Sequence, residues 1–237
     1  MTSSPVTWHD VENGSYDADL PLWRELAAAA DGPILELGAG TGRVAVDLAA
    51  LGHDVVALDS DPALLAELSE RAPAVTAVEA DARSFALDTR FGLVLAPMQL
   101  VQIVGGRHGR VAMLERVHAH LSPGGRFAAA LADPHEAIPA EHASPPLPDM
   151  IERDGWVFSS QPVSVRAEDG RVVVERRRQA VSPSGELEEE AALIALDLVG
   201  LEELEGEARA AGLEPLSRMQ VAETVDHIGS TVVVCRR

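Results

Sequence analysis

The stretch Ile34-Leu35-Glu36-Leu37-Gly38-Ala39-Gly40-Thr41-Gly42-Arg43 decides how this 237-residue chain is read. Its opening residues are apolar apart from Glu36, glycines follow at alternate positions, and Val44, Val46, Leu48 and Leu51 then offer an apolar helical face. That order predicts a buried strand over Ile34–Leu37, a tight turn, and a helix over Gly42–Leu51. A strand-to-helix turn of this kind lies at the carboxyl edge of a doubly wound sheet, where ligands bind. Glycine there leaves room for a ligand that a side chain would strike. A dinucleotide fingerprint reads G-x-G-x-x-G. Here the third glycine comes one place early, and an acidic residue, Glu36, stands shortly before the first. Both departures weigh against a nicotinamide cofactor.

From Gly32 to Leu131, short apolar runs alternate with amphipathic stretches, the pattern of βαβ units in a mainly parallel sheet. Further strands are expected at Asp54–Asp59, Val75–Glu79, Phe91–Ala96 and Gly125–Leu131. Asp61-Pro62 opens a helix to about Arg71, because aspartate caps free amides and proline is tolerated in the first turn. Another helix, His108–Leu121, stops at Ser122-Pro123-Gly124-Gly125. Asp19–Ala30 reads as a helix upstream. Residues 133–150 hold Pro134, Pro139, Pro145, Pro146 and Pro148 and read as a loop. Beyond them Trp156–Val165, Arg171–Val181 and Leu187–Leu198 suggest an antiparallel meander. A helix over Leu201–Ala211 and strands over Leu213–Val221 and Ser230–Cys235 follow. The expected organisation is an N-terminal cap segment (1–31), a ligand-binding core (32–132), an antiparallel β insertion (133–199), and a C-terminal part completing the core sheet (200–237).

All 19 basic residues are arginine, with no lysine anywhere. That excludes pyridoxal phosphate and Schiff-base enzymes, Walker-type phosphate loops and protein kinases, each of which needs a lysine amine. One cysteine, Cys235, excludes an internal disulfide, an iron–sulfur cluster and a multi-cysteine zinc site. A net charge of −19 opposes approach to a phosphate backbone or an anionic membrane. With no leader pattern at Met1–Val6 and no apolar run of roughly 20 residues, a cytoplasmic protein with neither nucleic-acid nor membrane partners is expected. All-arginine usage also suggests a GC-rich, bacterial source.

The E-L-G-A-G-T-G-R string, Gly52-His53-Asp54-Val55-Val56-Ala57-Leu58-Asp59, Asp81-Ala82 and Leu121-Ser122-Pro123-Gly124-Gly125-Arg126 together resemble the class I S-adenosylmethionine-dependent methyltransferases of small-molecule type. The resemblance covers about residues 32–131. It implies a Rossmann-like, doubly wound, seven-stranded sheet with an antiparallel last strand, S-adenosylmethionine as cofactor, and methyl transfer to nitrogen or oxygen of a small-molecule acceptor. It implies a cofactor site made of Tyr16, Glu36, Gly38, Ala39, Gly40, Gly42, Asp59, Ser60, Asp81, Ala82, Pro97 and Met98. The backbone of Gly38, Gly40 and Gly42 would lie under the ribose and methionine portion, with Asp59 on the ribose hydroxyls. Asp81 and the Ala82 amide would hold adenine, and Tyr16 would close over the methionine portion.

A general base is needed only where the acceptor must lose a proton. His135 and Gln99 are the catalytic candidates, with Glu141 and His142 beside them. His118 and His120 read as surface residues. The insertion, with Trp156 and Phe158, is expected to cover the acceptor site together with Trp8, Tyr16 and Trp23, or to form a homodimer contact. The alternative use of those aromatics is to join lid to core. Arg176, Arg177 and Arg178 are expected to pair with Glu188 to Glu190 across a hairpin, or to contact an anionic substrate group. Two other functions remain open on the residues: a nicotinamide-dependent oxidoreductase, and a cofactor-binding but non-catalytic dimeric regulator.

Overall fold

The computed structural model describes residues 4–132, 147–224 and 227–237. The chain enters through α1 (Pro5–Asn13) and α2 (Leu20–Ala28). It continues through β1 (Ile34–Leu37), α3 (Arg43–Ala50), β2 (Val55–Asp59), α4 (Pro62–Arg71), β3 (Thr76–Glu79), β4 (Phe91–Ala96), α5 (Leu100–Ile103), α6 (Gly106–His120) and β5 (Leu121–Ala132). After β6 (Asp149–Arg153), β7 (Trp156–Glu168), β8 (Arg171–Val181) and β9 (Leu187–Asp197) come α7 (Leu201–Ala210), β10 (Glu214–Val221) and β11 (Ser230–Arg236).

Seven strands form one sheet in the order β3-β2-β1-β4-β5-β11-β10. The strands from β1 to β5 run parallel, and β11 runs antiparallel to both its neighbours. The expected antiparallel last strand is therefore present. β1 and β4 are buried at every residue, as strands covered on both faces must be, which explains their near-continuous apolar runs. On one face Leu35, Leu37, Val94 and Phe127 pack with Met113 and Leu114 of α6 and Leu204 of α7. On the other, Ile34, Leu93 and Leu95 pack with Trp23 of α2 and Val44 and Leu48 of α3. The order reverses between β2-β1 and β4, and a crevice opens at the carboxyl ends there.

Local signals hold where the chemistry is local. Asp61 accepts hydrogen bonds from the Ala63 amide (2.8 Å) and the Leu64 amide (3.4 Å), capping α4. The Ser122–Gly125 stop signal appears instead as an irregularity within β5, where pairing with β4 shifts between Phe91 and Leu93. The strand thus starts at Leu121, before the expected Gly125. His120 is not a surface residue: its Nε2 accepts from the Leu87 amide (2.9 Å), Nδ1 meets the Arg116 carbonyl (2.7 Å), and its ring packs on Phe85. It closes the end of α6 over the core.

The insertion is a four-stranded antiparallel sheet, β6-β7-β8-β9. The meander expected three strands. The loop expected over 133–150 gives way at its end to β6, since Asp149–Arg153 pairs in register with Trp156–Ser160. α1 was likewise not expected, although Ser4 caps it through the Thr7 amide (3.2 Å) and Pro5 occupies its first turn. The inserted sheet rejoins the core through Arg110 of α6, which is 2% exposed. Its guanidinium donates to Glu207 (2.7 and 2.9 Å) and Glu203 (3.1 Å) of α7, and lies 3.8 Å from Asp197 at the end of β9.

Candidate functional site

A cavity of about 1350 Å³ occupies the crevice at the carboxyl ends of β1, β2 and β4, between the core sheet on one side and α1 and the inserted sheet on the other. Tyr16, Glu36, Gly38, Ala39, Asp59, Ser60, Asp81, Ala82, Pro97, Met98 and Gln99 all line it. The topology thus joins residues from five separate segments. Gly40 and Gly42 are not among the residues that line it. A β-carbon on Gly40 would stand 2.2 Å from His9 Nε2, and one on Gly42 2.7 Å from Leu68 Cδ1. Both glycines take positive φ, 56° and 91°. Their small size serves the packing of α1 and α4 against the turn. His135, Glu141 and His142 lie outside the described residues.

On the floor, Asp59 at the end of β2 accepts the Gly40 amide on Oδ2 (2.8 Å) and the Asp61 amide on Oδ1 (3.0 Å). These bonds hold the glycine turn to β2 and leave further lone pairs free. Asp81 accepts from the Arg83 amide (2.8 Å) and from its Nε (2.9 Å), and Arg83 holds its carboxyl below the usual range. Glu36 is different. It is 3% exposed, its Oε2 has no hydrogen-bond partner among the described residues, and burial pushes its carboxyl up to about 8, against the opposing charge of Arg43. A buried polar oxygen without a partner is rare and costly. Here it lines a cavity.

Tyr16 is both core and wall. It is buried against Trp23 and Val44, its ring packs on His227 at 4.8 Å, and the Arg43 guanidinium lies 5.1 Å from its centroid. Arg43 is fixed in turn by a two-pronged pair with Asp19 (2.5 and 2.8 Å) and by donating to the Tyr16 carbonyl (2.9 Å). Asp19 also accepts from Trp23 Nε1 (2.7 Å).

The inserted sheet is clamped to the core by α1. Asp10 accepts from Thr41 in the glycine turn (2.9 Å), from Arg71 of α4 (2.5 and 3.0 Å) and from Arg153 of β6 (2.7 Å). Burial alone would raise its carboxyl; those bonds hold it at about 2. Arg178 donates to Glu12 of α1 (2.8 and 3.0 Å) and reaches Glu190 only at 3.5 Å, while Arg176 pairs with Asp149. The arginine run therefore turns mainly to α1 and β6 rather than to the expected Glu188–Glu190 run. Register explains it: Arg176 and Arg178 share the inner sheet face with Ser160, and α1 packs on that face. Trp8 meets Phe158 edge-on at 5.7 Å, with Trp156 stacked on Phe158 at 6.2 Å. None of these three rings lines the cavity. They join the inserted sheet to α1.

The far end of the cavity is apolar. Val165, Val174, Ile194 and Leu196 of the inserted sheet face Leu100, Ile103 and Val104. Met98, in a left-handed conformation with φ 52°, and Gln99, which precedes α5, line the same cavity. Sequence reasoning missed His9 and Glu12, because it placed no helix over Pro5–Asn13 although Ser4 and Pro5 carry its start signal.

The family model for a methyltransferase domain matches residues 34–125. A cypemycin N-terminal methyltransferase from a Streptomyces species is 34% identical over 146 residues, which are 56% of this chain and 60% of that protein. The chain thus spans less than two thirds of the length of this relative. Among solved structures, the sugar N-methyltransferase KedS8 from Streptoalloteichus superposes with a TM-score of 0.77 at 18% identity, covering 100% of this chain and 94% of that one. CalS10, a SAM-bound amino pentose methyltransferase from Micromonospora echinaspora, gives a TM-score of 0.72 at 20% identity, covering 100% and 98%. Residues 34–125 thus match a methyltransferase domain, and the chain as a whole shares the fold of these methyltransferase structures.

Proposed function

We propose that this chain transfers the methyl group of S-adenosylmethionine to nitrogen or oxygen of a small-molecule acceptor. The observation that carries the reading is Glu36, a buried carboxyl with an unpartnered oxygen on a cavity floor that also presents Asp59. A cofactor bearing an ammonium group and a ribose diol matches both. Gly38 and Ala39 would run beneath it, Asp59 and Ser60 would hold the ribose, and Asp81 and Ala82 the adenine. Pro97, Met98 and Tyr16 would enclose the methionine portion. When bound, the sulfonium supplies an activated methyl carbon.

The chain's own part is alignment and exclusion of water. The apolar wall of Val165, Val174, Ile194 and Leu196 seats the acceptor body, and Met98 and Gln99 direct its reacting atom toward the methionine end. The Gln99 carboxamide orients by hydrogen bonding and takes no proton. Proton removal, where the acceptor requires it, falls to His135 after β5. Among the relatives are an N-terminal methyltransferase, a sugar N-methyltransferase and an amino pentose methyltransferase, which favours nitrogen here. Among the described residues no helix is long and apolar enough to cross a membrane.

S-adenosylhomocysteine at about 100 times its dissociation constant should stabilise the fold by ~2.7 kcal/mol. That raises Tm by roughly 5–11 °C in a domain of this size, and NAD should leave it unmoved. Stabilisation by NAD alone sinks the reading.

Glu36 gives a proton signature. In the free chain its carboxyl, raised to about 8, is mostly protonated at neutral pH. An ammonium group beside it favours the carboxylate and lowers that value, so binding releases a proton. Affinity should therefore rise with pH from neutrality and level off above about 8. Calorimetry of S-adenosylhomocysteine binding in two buffers of different ionisation enthalpy should show this release at pH 7, and Glu36→Gln should remove it. Equal release in the variant assigns the proton to another group.

A further inference from the structure

We infer that His9 is a further cofactor-binding residue, offering the unprotonated Nε2 of a neutral imidazole as hydrogen-bond acceptor to a ribose hydroxyl beside Asp59. The inference rests on the reading of the cavity as an S-adenosylmethionine site. Proton accounting at Thr41 carries it. The Thr41 hydroxyl owns one proton and donates it to Asp10 Oδ1 at 2.9 Å, a carboxylate that can only accept. His9 Nδ1, 3.2 Å from the same Thr41 oxygen, must then be the donor. In a neutral ring that leaves Nε2 as the acceptor.

The ring is neutral because burial lowers its basicity, against the charges of Asp10, Asp59 and Glu12 and together with that of Arg71. Of these four, Asp59 and Glu12 line the cavity, as His9 does. Nε2 lies directly over Gly40, whose amide is bound to Asp59 Oδ2. Both Asp59 oxygens already accept a backbone amide, while a ribose diol brings two hydroxyl protons. Nε2 supplies an acceptor beside them, delivered by the helix that also carries the lid contacts.

The test uses the full chain and calorimetry with S-adenosylhomocysteine and its 2′-deoxy and 3′-deoxy analogues. His9→Phe, which keeps the ring volume, should weaken S-adenosylhomocysteine by about ten-fold, the size of one hydrogen bond. His9→Gln, whose amide oxygen reaches similarly far, should recover most of that. One deoxy analogue should bind the wild-type chain more weakly but lose nothing further in His9→Phe. If Phe and Gln variants are equally impaired, or the deoxy losses are the same in wild type and variant, His9 serves packing alone and the inference fails. ¹⁵N NMR of the wild-type imidazole needs no variant: a proton on Nε2 rather than Nδ1 overturns the assignment directly. A wild-type chain that binds no S-adenosylhomocysteine overturns the cofactor reading itself, a result distinct from all of these.

Discussion

Asp59→Ala should reduce S-adenosylhomocysteine affinity by a factor of about 10² to 10⁴, because two hydrogen bonds to a charged acceptor, each worth roughly 1.5–3 kcal/mol, are removed together. The loss has two physical parts. The ribose hydroxyls lose their carboxylate, and the Gly40 and Asp61 amides, which donate to it at 2.8 and 3.0 Å, are released. The second part loosens the turn between β1 and α3, so the remaining contacts are also less well placed. Asp59→Asn keeps one acceptor oxygen and should fall between wild type and alanine. Calorimetric titration measures all three chains. An alanine variant within about three-fold of wild type would remove Asp59 from the ribose site.

The second large effect concerns stability. Arg110 lies under α7 with Glu207 almost fully enclosed beside it, both side chains 3% exposed. Removing one partner of such a pair leaves an uncompensated buried charge and typically costs about 3–5 kcal/mol. Arg110→Met should therefore lower Tm by roughly 6–20 °C, read by calorimetry. Combining it with Glu207→Leu should recover much of the loss, since two apolar groups leave no orphaned carboxylate. The link also ties Asp197, the last residue of β9, to the core. A fall of less than 2 °C in the single variant would show that water reaches Glu207 freely.

The core was legible because its signals are short in range. β1 and β4 announce themselves as apolar runs bounded by turn residues, and Ile34–Leu37 and Phe91–Ala96 appear with the expected bounds. Asp61 caps α4 within three residues of its own position. Where the signal depends on a distant partner, reading from sequence went astray. His120 looked like an exposed helical residue, yet its acceptor role is defined by the Leu87 amide, 33 positions away. Arg178 has Glu190 opposite it on the next strand, but Glu12, 166 positions away, takes its guanidinium in the shorter bonds. The aromatic residues of the N-terminal segment and the insertion were rightly expected to meet. Trp8, Phe158 and Trp156 do so away from the cavity.

Sequence by itself determined the doubly wound core and the acidic residues at the strand ends, since strand period, glycine spacing and caps act between near neighbours. It also determined, through the absence of lysine, which chemistries are closed to the chain. Tertiary structure decided what those residues experience. Glu36 became a buried carboxyl with one oxygen unpartnered among the described residues only once α3 and the sheet excluded water from it. Gly40 and Gly42 became packing positions only once His9 and Leu68 settled over them. Burial and pairing depend on which distant segments share a space, and in this chain α1 and the inserted sheet set that for the whole roof of the site.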